Sequence, residues 1–124
     1  AAALPAPLRL SLIGGLGLTT LLGLVSGFAL GGSPTGHYVG TVPPAHATLP
    51  LLGWSLEIGD LRVPHFLGLH ALQIVPLFGL LVWTATRHAT RGIAAVALFA
   101  TAYAGITLMA LAAALRGRPL LGWT

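Results

Sequence analysis

The chain has 124 residues, of which 56% are hydrophobic and only 6% charged, and its mean hydropathy is +0.91. This composition lies far outside the soluble range and indicates a protein whose main solvent is lipid. The net charge of +4 comes from arginines at the ends of apolar stretches, which favours contact with lipid headgroups over nucleic-acid binding. Because the chain has no cysteine, disulfides and thiolate metal sites are excluded.

Three apolar stretches are each about 20 residues long, the length that crosses a bilayer as a helix. They are Leu10–Leu30, Val63–Trp83 and Ile93–Leu115. A signal peptide is an alternative for the first stretch, since Arg9 precedes it, but the apolar run is longer than a signal core and no clean cleavage site follows. We therefore predict an all-α integral membrane protein with about three transmembrane helices, forming a single domain over residues 1–124.

Small residues recur at every fourth position of the first stretch: Gly15, Thr19, Gly23, Gly27 and Gly31. This spacing places them in one row along a helix face, where another backbone can approach closely. The third stretch repeats the pattern less fully, at Ala97, Thr101 and Gly105. Glycine is common in membrane helices, but an unbroken row of five favours a packing face, and we expect the first row to contact other membrane subunits.

The connection between the first two stretches, residues 31–62, is long and rich in proline and glycine. Four prolines argue against a regular helix there: Pro34, Pro43, Pro44 and Pro50. Leu51, Leu52 and Trp54 suit a segment that rests on the membrane interface. We therefore predict a capping loop at one membrane surface.

Most unusual residues lie at the entrance to the second stretch. Asp60 is predicted to cap the helix start and Pro64 suits its first turn, while Arg62 is expected to organise the same helix end. His65 lies near the interface. His70 is about 8 Å deeper and turned by about 140°, so the two imidazoles cannot bind one metal from the same helix face.

Gln73 shares the helix face of His70, and together they predict a polar pocket within the membrane. Pro76 removes the hydrogen bond to the Leu72 carbonyl, and nearby polar groups often satisfy a backbone oxygen freed in this way. Ionisable residues inside a span are costly and often functional. A purely structural role for His70, a hydrogen bond that fixes helix packing, is the alternative.

Several ligand sites follow from these residues. His70 could bind haem with Met109 as the second axial ligand, although methionine often fills a core. It could also bind a chlorophyll-type pigment or haem shared with another subunit, or form a quinone site with Gln73. A weaker pattern, a metal site made of imidazoles alone, would use His37, His46 and His65.

Catalysis by this chain alone is not expected. The sequence contains no phosphate-binding loop, no GxSxG and no HExxH. Its two carboxylates, Glu57 and Asp60, lie close together in the loop and leave little material for paired acid and base catalysis.

The region from Gly59 to Gln73 and the C-terminal segment resemble a widespread family of uncharacterised bacterial polytopic inner-membrane proteins. The residues that carry the resemblance are Gly59-Asp60-Leu61-Arg62, His65-Phe66, Gly68-Leu69-His70, Leu72-Gln73 and Ala114-Leu115-Arg116-Gly117-Arg118-Pro119-Leu120. The resemblance implies a multi-pass protein of the bacterial inner membrane and carries no activity onto any residue. Members of that family are often longer than this chain, which leaves a further N-terminal part open.

Three hypotheses on function remain. The first is a non-catalytic accessory or structural subunit of a larger respiratory or photosynthetic membrane complex. The second is an electron-transfer subunit that binds haem or a quinone. The third is a small transporter or pH sensor that uses the intramembrane histidine as a proton switch. Arginines are equally numerous at the two ends of the predicted bundle, so the positive-inside rule assigns no orientation.

Overall fold

The computed structural model describes residues 3–121, and the other residues of the predicted domain lie outside this part. Its main elements are three helices: α1 (Ala6–Gly31), α2 (Arg62–Thr86) and α3 (Ala89–Leu115). All three are long and apolar enough to cross a membrane. The predicted helical stretches are therefore confirmed, and each observed helix contains the whole of the corresponding predicted stretch.

The connection between α1 and α2 contains two short strands, β1 (Tyr38–Val39) and β2 (Gly59–Asp60), which pair antiparallel. Within it, an isolated bridge joins Thr48 to Ser55. The turn between them contains Leu51, which is fully exposed and has a left-handed backbone, with φ of 70°. The turn from α2 to α3 is shorter, because Arg87 also adopts a left-handed conformation and its N–H bonds the Trp83 carbonyl.

The row of small residues on α1 packs against α2 of the same chain. A methyl group added to Gly15 would lie 2.8 Å from the ring of Pro76, and one added to Gly27 would lie 3.3 Å from the imidazole of His65. Gly23 is close to Leu69 in the same way, at 3.2 Å. These distances show why the positions hold glycine: the two helices are already at van der Waals contact without a side chain.

The second position of the row, Thr19, adds a polar contact. The Thr19 hydroxyl donates to the Leu69 carbonyl at 2.6 Å, while Gly31 at the end of the row has open space around it. The predicted row is thus a packing surface between α1 and α2 of the same chain. Hydroxyl groups of the neighbouring helices donate to the carbonyls of Leu67 and Leu69. These residues are five and three positions before Leu72, whose carbonyl Pro76 leaves free.

Glycines on α2 and α3 complete the packing. Gly68 lies against the backbone of Leu22, and a side chain at Gly79 would overlap Ser11. Gly92 of α3 is equally close to Pro7 of α1. In contrast, the second predicted row, Ala97, Thr101 and Gly105, is exposed. Thr101 lines an open groove between α1 and α3.

Candidate functional site

The side of α2 that points away from α1 and α3 carries the polar residues of interest. The buried residues of α2 are Val63, Pro64, Gly68, Ala71, Val75 and Gly79. The opposite side, called here the outer face, consists of Phe66, His70, Gln73 and Leu77, which share one face by their spacing. Gln73 and Leu77 are exposed and His70 is half-buried. The two polar residues therefore share a face as predicted, but this face is an outer surface and not a pocket between helices.

The imidazole of His70 is held by its own helix. Its Nδ1 lies 2.8 Å from the carbonyl oxygen of Phe66, one turn earlier. A carbonyl oxygen can only accept a hydrogen bond, so Nδ1 carries the proton, and Nε2 of the neutral ring is left as an acceptor with a lone pair. The bond lies within α2 and joins no other helix, and it fixes which nitrogen is available to a ligand.

Two aromatic rings extend the outer face toward the loop. The Phe66 ring stacks on the His70 imidazole with centroids 3.9 Å apart. The Trp54 ring meets Phe66 edge-on at 5.1 Å. The sequence analysis did not identify Phe66 as a site residue, although its position four residues before His70 places it on the same helix face. Trp54 comes from the loop, and no periodicity in the sequence links it to α2.

His65 has a structural environment between α1 and α2. Its Nδ1 lies 3.1 Å from the Ser26 hydroxyl oxygen, and that hydroxyl already donates to the Leu22 carbonyl at 2.6 Å. His65 must therefore donate from Nδ1 to Ser26. The ring also rests on Gly27, so His65 fastens α2 to α1, away from the outer face.

Met109 does not lie near His70. The side of α3 that packs in the bundle carries its buried residues, among them Thr107, Ala110 and Ala114. The spacing of Met109 from these residues places it on the opposite side of the helix. Met109 is also 70% exposed, so the predicted His/Met ligand pair is not formed within this chain.

A second polar cluster lies at the loop end of the bundle, centred on Asp60. This carboxylate is buried and accepts two hydrogen bonds from the Arg62 guanidinium, at 2.9 and 2.7 Å. It also accepts backbone N–H bonds from Ser55 at 3.0 Å and from Arg62 at 3.1 Å. Burial alone would raise the pKa of Asp60, but these bonds from Arg62 and Ser55 outweigh it and hold the pKa below its usual value.

The prediction that Asp60 caps the start of α2 agrees with its contacts: its carboxylate accepts the N–H of Arg62, the first residue of the helix, at 3.1 Å. Leu61, between them, already has a helical backbone and makes no side-chain cap bond. The same carboxylate also accepts the N–H of Ser55 in the loop. Pro64 lies in the first turn of α2, as predicted. Arg62 reaches further into the loop, where it donates to the Gly53 carbonyl at 2.9 Å. The pair therefore organises the loop and the helix start together.

Ser55 connects this cluster to His46. The Ser55 hydroxyl oxygen accepts backbone N–H bonds from Glu57 at 3.1 Å and from Ile58 at 2.9 Å. Its single proton is then directed to Nε2 of His46, 2.6 Å away. His46 and His65 are thus each held by a serine in a different part of the fold. Over residues 3–121 no three His, Cys, Asp or Glu side chains meet at a possible metal site, so the predicted imidazole site of His37, His46 and His65 is not assembled.

The two segments that carry the family resemblance meet in space. The carbonyl of Ala114, in the last turn of α3, lies against Gly59 so closely that a side chain there would overlap it. The helix ends just beyond, where Gly117 has φ of 74° and the Arg118 N–H bonds the Ala113 carbonyl at 2.9 Å. This is a Schellman motif, which needs a residue that tolerates the left-handed conformation. Both segments thus have a structural role in joining β2 to α3.

Comparison with family models, with curated proteins and with solved structures finds no match to the chain. The site is therefore interpreted from its own geometry. That geometry comprises an outer face with one oriented imidazole and one exposed amide, and a loop cluster whose polar groups are all engaged with one another.

Proposed function

We propose that the chain is a non-catalytic accessory subunit of a larger complex, of respiratory or photosynthetic type, in the bacterial inner membrane. In this proposal the outer face of α2 contacts another membrane subunit. The observation that carries it is Gln73, whose side chain is exposed on a helix that is apolar enough to cross a membrane.

A side-chain amide that faces hydrocarbon is unfavourable, because it loses the hydrogen bonds that water would supply. Among the described residues, the Gln73 amide has no hydrogen-bond partner. A neighbouring helix that brings a polar group to this face would supply one, and interhelical bonds of this kind are typical of membrane subunit contacts.

The engaged carboxylates support the non-catalytic part of the proposal. Glu57 accepts the Ala47 backbone N–H at 2.8 Å, and Asp60 is paired with Arg62. Asp60 cannot take up a proton as a general base without weakening its pair with Arg62, and Glu57 is held at the loop surface by one backbone bond. A structural role for the loop, as a cap at the membrane surface, is consistent with the exposed Leu51 and Leu52 at its turn.

Site-specific crosslinking in the native membrane tests the proposal. Since the chain has no cysteine, Gln73→Cys can be labelled with a benzophenone maleimide and irradiated, and the adducts identified by mass spectrometry. Leu16→Cys is the matched control: Leu16 is 59% exposed and lies at similar depth, because Gly15 beside it faces Pro76.

We expect the Gln73→Cys label to give an adduct with one particular membrane protein, and the Leu16→Cys label to react mainly with lipid. The same protein should co-purify with the wild-type chain after gentle extraction. Lipid adducts alone at both positions, together with a stable monomer in detergent, would overturn the proposal.

A further inference from the structure

We infer that Nε2 of His70 is an axial ligand to the metal of a tetrapyrrole, a haem or a chlorophyll-type pigment, bound on the outer face of α2. The inference deepens the proposed function, because the tetrapyrrole would lie in the same contact with the partner subunit. It rests on three features of the site: the orientation of the imidazole, the number of ligands that the chain can offer, and the chemistry of the free nitrogen.

The imidazole is oriented for ligation before any ligand binds. The bond from Nδ1 to the Phe66 carbonyl fixes both the tautomer and the ring plane, and the stacked Phe66 ring limits rotation further. Metal-binding histidines commonly have this arrangement, in which one N–H is bound to a backbone carbonyl and the other nitrogen faces the metal. Orientation in advance reduces the entropy lost on binding.

The number of ligands selects the class of metal site. A bare divalent ion such as zinc takes three or four protein ligands, and no cluster of that size exists among residues 3–121. The macrocycle of a tetrapyrrole already supplies four nitrogens, so the protein has to supply only one or two axial ligands. One oriented imidazole on a half-buried surface is therefore enough to bind the metal of a tetrapyrrole but not a bare divalent ion.

The chemistry of Nε2 argues against a quinone at the same position. A quinone carbonyl needs a hydrogen-bond donor, and Nε2 of this tautomer is an acceptor. An acceptor lone pair is, in contrast, what a Lewis-acidic metal needs. Gln73 lies about one turn further along the same face, where its amide can bond a polar substituent at the edge of the macrocycle.

Because Met109 lies on a different side of the bundle, the chain supplies one axial ligand and the metal should be five-coordinate. The sixth position would be open or filled by the partner. The two probes for a test are therefore haem b and zinc protoporphyrin IX, since zinc in a porphyrin takes a single axial ligand and mimics a magnesium pigment.

The experiment titrates each probe into the full chain in mild detergent and follows the Soret band. We expect saturable binding at one probe per chain, with carbon monoxide binding to the ferrous haem form at its open position. His70→Ala should weaken binding by more than about 10-fold, because the oriented ligand is lost, and added imidazole should restore the spectrum. The control is His88→Asn, which changes a histidine at the far end of the bundle to a residue that can still cap α3.

Three results would overturn the inference: no saturable binding of either probe to the folded chain, equal binding by His70→Ala, or equal loss in His88→Asn. Circular dichroism checks that the variants are folded, and the imidazole rescue separates loss of the ligand from loss of structure. If a partner co-purifies but neither probe binds, this inference fails and the proposed function stands. If the isolated chain binds a probe and no partner is found, the proposed function fails and this inference stands.

Discussion

Gly59 of β2 and the carbonyl oxygen of Ala114 in the last turn of α3 approach so closely that no side chain fits between them. The loop is therefore attached to the far end of the third helix through backbone atoms. A residue with a side chain at position 59 would separate β2 from α3 and disturb the adjacent Asp60 pair.

We predict that Gly59→Ala lowers the free energy of unfolding by about 3 kcal/mol or more. Neither the strand β2 nor the end of α3 can move away from the new methyl group without breaking backbone hydrogen bonds. Gly31→Ala is the control, since nothing lies within 4 Å of that position. Thermal unfolding in detergent, followed by circular dichroism, measures the difference. Equal melting temperatures for the two variants would contradict the close contact.

The contact of α1 with α2 gives a second pair of variants. Gly79→Ala should destabilise the fold by about 1–3 kcal/mol, because the new methyl group would overlap Ser11. Gly17→Ala, where nothing lies within 4 Å, should instead be neutral or stabilise by about 0.5–1 kcal/mol, since alanine favours a helix over glycine. Unfolding by increasing mole fraction of a denaturing detergent compares them. A stabilised Gly79→Ala variant would be inconsistent with this packing.

The Asp60 carboxylate predicts a pH dependence of the loop. Its pKa is lowered in the folded chain, so its stabilising contribution is complete above the unfolded pKa of about 4 and is lost as the pH falls through the lower folded value. We expect the backbone amides of Ser55 and Arg62 to exchange faster with solvent deuterium below about pH 4, after correction for the intrinsic exchange rate.

Asp60→Asn tests the assignment of this effect. The variant should show rapid exchange of the same amides already at neutral pH and little further change on acidification. A wild-type loop that stays protected at low pH, or a variant that keeps the wild-type profile, would mean that another group controls the loop.

Substitutions of Ser55 and His46 should lower the free energy of unfolding by different amounts, although the two side chains contact each other. Ser55→Ala removes the acceptor of two backbone N–H groups, those of Glu57 and Ile58, and should cost about 1–3 kcal/mol because buried donors are left unsatisfied. His46→Phe keeps the edge-on contact with Tyr38 and frees only the hydroxyl proton. Thermal unfolding of both variants measures the difference. A larger decrease in melting temperature for His46→Phe than for Ser55→Ala would contradict the prediction.

Hydropathy and length are enough to predict the three helices, because an apolar stretch of that size has few alternatives to a helix in lipid. The row from Gly15 to Gly31 likewise predicts a close helix contact. It does not predict which helix occupies the contact, because α2 and a separate subunit would present the same kind of surface. In this chain α2 occupies the row, and the partner contact proposed above uses the outer face of α2 instead.

Less of the candidate site than of the fold could be predicted from the sequence. The spacing of His70 and Gln73 correctly places them on one face, but spacing within one helix does not tell whether the face points inward. The pairing of His70 with Met109 failed because similar depth on two helices does not tell whether two side chains face each other, and Met109 lies on the exposed side of α3. The sequence predicts Trp54 at the membrane interface but does not predict its contact with Phe66, because that contact depends on how the whole loop folds.

The small residues between α1 and α2 bear on the order of assembly. Glycine has no side-chain rotamers to lose and threonine and serine have few, so bringing these two helices together costs little side-chain entropy. The contact of α3 with α2 differs, because the Phe78 and Phe99 rings stack at 4.0 Å and both must be confined to one rotamer. We therefore expect α1 and α2 to associate first in the bilayer, with α3 joining a helical hairpin that has already formed.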